Sequence, residues 1–181
     1  MKYLILLLSL SFTTFAAELN IEPVYGFERT YHALPEPARY RTETFFGARA
    51  SYGTPTFKGE AEATQSNSSD DINDIEVKYT TQTLMLGLRL VPINGQYFNT
   101  FFRIGGRAQK KETEVTESGE TTKTTDGPNL DPYAGLGFGL NFGSLFSLNA
   151  SATLIYNRYA DPEDQYDTRY TLGAGIKFGK R

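Results

Sequence analysis

Residues with catalytic potential form a small set in this sequence. His32 is the only histidine, and Ser68, Ser69, Asp70 and Asp71 follow one another in a polar stretch farther along. A hydroxyl, an imidazole and a carboxylate are the groups that covalent acyl transfer uses as nucleophile, base and orienting acid. However, nothing in their spacing indicates that a nucleophile meets its base, and polar loops commonly contain these residue types. The sequence therefore predicts no catalytic residue.

Metal and cofactor chemistry has equally little support. Asp70, Asp71, Asn73 and Asp74 could hold Ca²⁺, but they do not follow an EF-hand pattern, so a solvated loop is the favoured interpretation. The absence of cysteine excludes disulfides and thiolate ligands. The glycine-rich run at 135–139 does not follow the dinucleotide fingerprint and lies in strand-like alternation. We therefore predict no metal site and no cofactor.

Charged side chains form a larger and more regular set. They recur on the polar parity of segments in which polar and apolar residues alternate, and their charges nearly cancel. A polar face of this kind fits the narrow interior of a small β-barrel, filled by side chains that form ion pairs. The acids of the set are Glu22, Glu28, Glu43, Glu60, Glu62 and Asp131, and the bases are Arg49, Lys58, Arg89, Arg103, Arg107, Arg169 and Lys177.

The alternation that carries these charges predicts β-strands with two different faces. The chain has 17 Gly, 12 Tyr and 13 Phe, a composition that also favours β structure. We count eight strands, at about residues 19–28, 42–52, 57–63, 75–90, 98–108, 131–142, 146–157 and 169–178. The fold class is thus predicted to be all-β, an antiparallel up-and-down barrel.

The fourth strand departs from simple alternation. Ile75, Val77 and Tyr79 share one parity, whereas the leucines from Leu84 to Leu90 occupy the other. Either a bulge near residues 80–83 shifts the register, or the upper part of the strand projects beyond the bilayer. The sequence leaves both interpretations open.

The connections alternate in length. Gly53-Thr54-Pro55, Ile93-Asn94-Gly95-Gln96 and Gly143-Ser144 are short turns, and the Asn-Gly pair suits a type I′ hairpin. Long polar connections are predicted at about 30–41, 65–74, 109–129 and 160–167, of which the third should extend as a hairpin. Three short turns at one end and four long loops at the other are typical of a transmembrane barrel.

Closure of the first strand on the last sets up specific expectations. Glu28 should approach Arg169, Glu22 should approach Lys177, and Arg107 should approach Asp131 on its neighbouring strand. Glycines share this inward parity, where small residues relieve crowding. The apolar parity should face lipid, with aromatic residues at both ends of the band. A soluble lipocalin-like barrel, with its apolar parity inside, is the rival architecture.

The ends and the net charge complete the domain organisation. Lys2, the apolar run from Leu4 and the small residues before Ala17 predict a signal peptide over 1–16, whose apolar stretch of about nine residues is too short to span a membrane. Residues 17–181 then form one barrel domain. Without Lys2 the charge is 17 basic minus 21 acidic residues, or −4, which gives no electrostatic basis for binding nucleic acid.

The last strand adds a recognisable signature. Residues 171–178, Thr-Leu-Gly-Ala-Gly-Ile-Lys-Phe, resemble the β-signal that barrel-insertion machinery reads, although Gly179, Lys180 and Arg181 follow the aromatic residue. That resemblance implies Tyr170, Gly173, Ile176 and Phe178 as assembly determinants. With the run at 131–139, the whole chain after residue 16 is similar to the small eight-stranded bacterial outer-membrane barrels of the OmpA, OmpX and OmpW group.

The resemblance carries functional expectations. It implies a monomer in the bacterial outer membrane, in contact with lipid and with lipopolysaccharide, whose phosphates Arg39 and Arg41 could bind. The leading expectation is a non-enzymatic structural or surface-interaction role through the outer loops. A narrow passive channel is the second. A lipid A-modifying barrel enzyme that uses His32 is a third, although the amphipathic helix that precedes the barrel in lipid A palmitoyltransferases is missing.

Overall fold

The computed structural model describes residues 17–32, 39–72, 75–117, 120–158 and 165–179, and for residues 31, 32, 39 and 70–72 it describes the backbone alone. The predicted signal peptide lies outside this part of the chain. Eight strands make up nearly all of it: β1 Glu18–His32, β2 Arg39–Gly53, β3 Phe57–Ile72, β4 Ile75–Asn94, β5 Phe98–Glu117, β6 Glu120–Phe142, β7 Phe146–Tyr156 and β8 Tyr166–Phe178.

The strands form one closed barrel in sequence order, and every neighbouring pair is antiparallel. β1 closes on β8 through a ladder that runs from Leu19 opposite Phe178 to Arg29 opposite Thr168. No helix in the described residues is long and apolar enough to cross a membrane. The prediction of an eight-stranded up-and-down barrel is confirmed.

Four of the strands continue well past their neighbours at the end opposite the short turns, which we call the hairpin end. The β2–β3 ladder stops at Phe45 opposite Ser66, whereas β3 and β4 pair as far as Ile72 opposite Ile75. Likewise, β5 and β6 pair as far as Glu117 opposite Glu120. The predicted hairpin over 109–129 is present, while most of the loop predicted at 65–74 is strand.

The fourth strand has no bulge near residues 80–83. Its pairing with β3 keeps one register from Ile72 opposite Ile75 to Phe57 opposite Leu90. Val77 and Tyr79 therefore point inward, with 2% and 4% of their surfaces exposed. The only shift in the β4 ladders lies at the other end, between Leu90 and Ile93 in the pairing with β5. Of the two interpretations open from the sequence, the bulge is wrong.

Two glycines mark irregular backbone. Gly127, at φ +99°, lies with Pro128 opposite the single residue Lys110, which makes a β-bulge in β6. Gly143, at φ +69°, forms the short turn into β7. Gly95 lacks a positive φ, so its turn is not the predicted type I′, which requires positive φ at both central residues.

The two alternating sets of side chains face opposite sides of the barrel wall, as a membrane barrel requires. Large apolar residues are exposed on the outer surface, and most buried side chains are polar or charged. The aromatic residues predicted to form two girdles all face outward: Tyr25, Phe27, Tyr52, Phe57, Phe98, Phe142, Phe146, Tyr156, Tyr170 and Phe178. The soluble architecture with an apolar interior is therefore wrong.

Candidate functional site

The centre of the lumen is organised around one carboxylate. Glu62 projects inward from β3, and its oxygens lie 2.7 Å from Arg49, 2.8 Å from Arg103 and 3.0 Å from Arg169. None of these four side chains has more than 1% of its surface exposed. Three strands besides β3 thus supply a guanidinium to the same group, because β2, β5 and β8 also alternate inward at this level.

A second layer lies between this centre and the short turns, at what we call the turn end. Glu60 contacts Arg103 at 2.5 Å and Arg89 at 3.0 Å. Glu22 contacts Arg49 and Arg89, each at 3.2 Å. The two layers together form a plug of buried ion pairs across the barrel. Removal of one member would leave an uncompensated charge, which is costly in a desolvated interior.

Two phenylalanines complete the plug. The Arg169 guanidinium lies 3.5 Å from the centre of the Phe45 ring, and that of Arg89 lies 4.0 Å from the Phe101 ring. Phe101 stands directly opposite Gly137 in the β5–β6 ladder, and a Cβ at Gly137 would lie 2.4 Å from the ring. The missing side chain therefore makes the space that the ring occupies, an arrangement in which an aromatic residue covers a facing glycine.

A further cluster lies toward the hairpin end. Arg107 contacts Glu28 at 2.7 Å, Asp131 at 3.0 Å and Asp167 at 3.2 Å, and Arg169 contacts Glu28 at 2.7 Å. Two pairs expected from the strand register, Glu28 with Arg169 and Arg107 with Asp131, are thus present. Asp167 was missed because its neighbours predict a polar loop, although it shares the parity of Arg169 two residues later.

The lumen opens above this cluster into a polar cavity of about 280 Å³. Glu43 accepts hydrogen bonds there from Ser66 at 3.2 Å and from Ser68 at 2.9 Å. Lys111 places its ammonium 4.5 Å from the centre of the Tyr79 ring. Burial lowers the pKa of this lysine, because the charged form is desolvated.

At the turn end a larger cavity of about 610 Å³ opens below the plug. Lys58 contacts Glu18 at 2.5 Å, and Lys177 donates a hydrogen bond to Asn141 at 2.6 Å. Glu22 was expected to approach Lys177. Instead its carboxylate is held by Arg49 and Arg89, because it points into the second layer rather than toward the cavity mouth.

The remaining sequence-derived residues fall outside these clusters. Of the assembly determinants implied for β8, Tyr170, Ile176 and Phe178 face outward, and Gly173 faces the lumen, where a Cβ would lie 2.9 Å from the Glu22 carboxylate. Their role in assembly stays a prediction. The side chains of His32, Arg39, Asp70 and Asp71 lie outside the described residues. Arg41 shares the inward parity of Glu43 and is half-buried.

The ion pairs of the plug determine what the lumen can do. Each guanidinium in the plug is shared between carboxylates, so ion pairs cross-link six of the eight strands, β1 to β5 and β8. The described residues contain no group of three or more histidine, cysteine or acidic side chains arranged for a metal ion. The lumen thus closes the barrel at its middle and leaves polar, water-accessible space at both ends.

Comparisons with known proteins bear on the fold. No family model matches the sequence, and no curated protein matches it. Among solved structures, the chain is similar to Ail, the attachment invasion locus protein of Yersinia pestis, with a TM-score of 0.63 and 14% identity over 90% of this chain and 99% of that chain.

Two other solved structures are similar over comparable lengths. Neisserial surface protein A, NspA, has a TM-score of 0.57 and 9% identity over 91% of this chain and 97% of its own. The outer membrane protein OprG from Pseudomonas aeruginosa has a TM-score of 0.55 and 12% identity over 92% of this chain and 97% of its own. The likeness shows the fold of a small eight-stranded outer-membrane β-barrel, as predicted.

Proposed function

We propose that this protein is a non-enzymatic surface-interaction protein of the bacterial outer membrane. The hairpin end faces the outside of the cell, and the turn end faces the periplasm. The extended sheet formed by β3 to β6 makes the contact with a partner. The charged lumen keeps the barrel rigid and closed beneath it.

The unpaired edges of the extended sheet carry this proposal. The β6–β7 ladder begins at Tyr133 opposite Ile155, so within the described residues β6 from Glu120 to Pro132 pairs with β5 on one side and with no strand on the other. On the opposite edge, the ladder that joins β3 to β2 ends at Ser66, and no other described strand pairs with that side of β3 beyond it. Unpaired edges accept an extended segment of another chain, whose main chain adds hydrogen bonds to the sheet.

Charge restricts the kind of partner. The hairpin over 109–129 has three lysines, against four glutamates and one aspartate, for a net charge of 3 − 5 = −2. Ail has also been solved in complex with the heparin analogue sucrose octasulfate. The hairpin of the present protein is acidic, so it repels a sulfated polyanion. Its charge favours binding of an extended segment that is neutral or basic.

The test removes the hairpin and keeps the barrel. Residues 111–126 are replaced by an Asn-Gly turn, and binding of purified protein to an immobilised peptide of alternating lysine and valine is measured. We expect binding by the full chain and its loss in the shortened variant. A peptide of alternating glutamate and valine is the control for charge. Equal binding of the basic peptide by both proteins contradicts the proposal, and heat-modifiable migration shows that each barrel is folded.

A narrow channel is the second candidate, favoured by one observation. Polar cavities of about 280 and 610 Å³ approach the plug from opposite ends, so only the ion-paired layers separate them. Conduction would require these layers to rearrange. Single-channel recording of the refolded protein distinguishes this function from surface interaction.

A further inference from the structure

A groove runs along the lipid-facing side of β7. Its floor is made by Ala150 and Ala152, which face outward but are partly buried because larger side chains stand on both sides of them. The space above this floor has a volume of about 440 Å³, and we call it the β7 groove. Its walls are the residues directly opposite the two alanines in the neighbouring ladders: Leu136 and Phe138 on β6, and Tyr170 and Leu172 on β8.

The groove has closed ends and one reinforced wall. On β7 the outward residues that follow the alanines in either direction are leucines, Leu148 and Leu154, about 20 Å apart along the strand. The Tyr170 ring stacks on the Phe27 ring of β1, with their centres 4.9 Å apart. The groove is therefore a trough in an outer surface that elsewhere carries protruding side chains.

The width of the groove favours an extended hydrocarbon chain. Adjacent strands lie about 4.8 Å apart, so the backbones of β6 and β8 are about 10 Å apart, and the wall side chains narrow this space further. A transmembrane helix, about 10 to 12 Å across, is too wide to reach the alanine floor. An acyl chain reaches it and gains dispersion contacts with both walls, which a flat surface does not offer. In a membrane such packing decides which surface is preferred, since lipid and protein are equally apolar.

Two arginines lie beyond the end of the groove that is nearer the hairpin end. Arg29 follows Phe27 by two residues on β1, Arg158 follows Tyr156 by two residues after β7, and both arginines are exposed. Phe27 and Tyr156 are outward aromatic residues, which in barrels lie at the level of the lipid headgroups. Within the described part of the chain neither guanidinium has a carboxylate as an ion-pair partner, and that of Arg29 lies 4.5 Å from the centre of the Tyr40 ring.

From the groove and the two arginines we propose that this face of the barrel binds a phosphate-bearing lipid from the leaflet at the hairpin end. One acyl chain lies in the β7 groove, and Arg29 and Arg158 bind the phosphate oxygens, for which guanidinium geometry is suited. The site lies on the lipid-facing wall of the barrel, whereas the proposed partner binds the extended sheet above it. Its existence therefore does not depend on the proposed surface interaction.

The test uses tryptophan fluorescence, because the chain has no tryptophan of its own. Phe138→Trp places one indole in the groove wall, and Leu86→Trp places one on the lipid-facing side of β4, away from the groove. Each protein is refolded into dioleoylphosphatidylcholine vesicles that contain a fixed mole fraction of a lipid with brominated chains. The brominated lipid is either phosphatidic acid or phosphatidylcholine, and quenching of the indole measures its binding near that position.

The two reporters should behave differently. At Phe138→Trp we expect phosphatidic acid to bind at least about fivefold more strongly than phosphatidylcholine, the effect of one basic side chain on an anionic lipid. At Leu86→Trp the two lipids should quench alike. The same preference at both positions overturns the proposal. Little quenching of the groove indole by either lipid, at any ratio of protein to lipid, shows that another protein chain fills the groove and also overturns it.

Variants in the Phe138→Trp background locate the site. Ala152→Leu fills the floor of the groove, and the double substitution Arg29→Gln with Arg158→Gln removes the two charges. Each should lower the preference for phosphatidic acid to near one. The matched controls, Ala61→Leu on the outer side of β3 and Lys110→Gln with Lys123→Gln on the hairpin, should keep it. A loss as large in either control as in its partner variant overturns the proposal, and heat-modifiable migration shows that each barrel is folded.

Discussion

Glu62 shows how strongly the stability of the barrel depends on single side chains in the lumen. Its carboxylate is shared by Arg49, Arg103 and Arg169, all buried, so Glu62→Gln would leave three guanidiniums short of one negative charge. We expect the free energy of unfolding to fall by about 3 to 5 kcal/mol, the cost of breaking a buried ion pair. Urea unfolding in a fixed detergent, followed by circular dichroism, measures the change.

The matched control for this substitution lies on the hairpin. Glu112 pairs with Lys110 at 2.6 Å, but both side chains are about half exposed. Because exposed ion pairs contribute little to stability, Glu112→Gln should leave the free energy of unfolding nearly unchanged. Equal destabilisation by the two substitutions would show that the plug is not a special source of stability.

A second prediction at the scale of single residues concerns a glycine that faces the lumen. A Cβ on Gly137 would lie 2.4 Å from the Phe101 ring, so Gly137→Ala should destabilise the barrel by about 1 to 3 kcal/mol through overpacking. The additional change Phe101→Leu should recover part of this loss. Gly106→Ala is the control, because a Cβ there meets no atom within 4 Å. A Gly137→Ala protein as stable as the Gly106→Ala protein would contradict the prediction.

At the scale of strands, alternation predicts most of the architecture because the two barrel faces meet different surroundings. It fails where those surroundings become alike. The upper parts of β3 and β6 rise past the apolar band, so their outer residues, such as Gln65 and Lys123, are as polar as loop residues. Val77 and Tyr79 face inward at that height and reverse the apparent pattern of β4 without any bulge.

The residues that face the lumen were easier to predict from the sequence than the ion pairs that they form. Strand parity places Glu22 and Arg89 on the inner face, and it cannot say which of several arginines a carboxylate reaches. Those contacts run across the barrel: Glu22 and Arg89 lie on β1 and β4, which are not neighbours. Pairs on adjacent strands, such as Arg107 with Asp131, follow from the register and were predicted.

The last strand allows a prediction that separates assembly from stability. Phe178 faces outward at the end of β8, half exposed, so its side chain has little part in the packing of the lumen. Phe178→Ala should therefore slow insertion by the barrel-insertion machinery in reconstituted membranes, while urea unfolding of the refolded protein changes by less than about 1 kcal/mol. Phe142→Ala, at another outward phenylalanine of the turn end, is the control. Equal insertion rates for the two variants would argue against a signal in β8.

The molecule as a whole is divided by its plug into two separate polar spaces. Glu22, Glu60 and Glu62 face Arg49, Arg89, Arg103 and Arg169, and Arg169 also contacts Glu28, so four acids meet four bases. Rings from β2 and β5 pack against two of these guanidiniums. Among the described residues, a cross-section filled in this way separates the two polar cavities, as expected for a barrel of eight strands.

Closure of the barrel should survive high salt, because buried pairs are screened much less than exposed ones. We therefore expect the wild-type protein in planar bilayers to show no resolved conductance at 1 M KCl, where the Debye length is about 3 Å.

The double substitution Glu60→Gln with Arg103→Gln removes one ion pair of the plug and leaves the net charge of the lumen unchanged. It should produce brief openings if the plug is the barrier. Lys110→Gln with Glu112→Gln removes an exposed pair in the same way and should remain silent. Steady conductance of the wild type would instead favour the channel function, since it would show that the plug rearranges on its own.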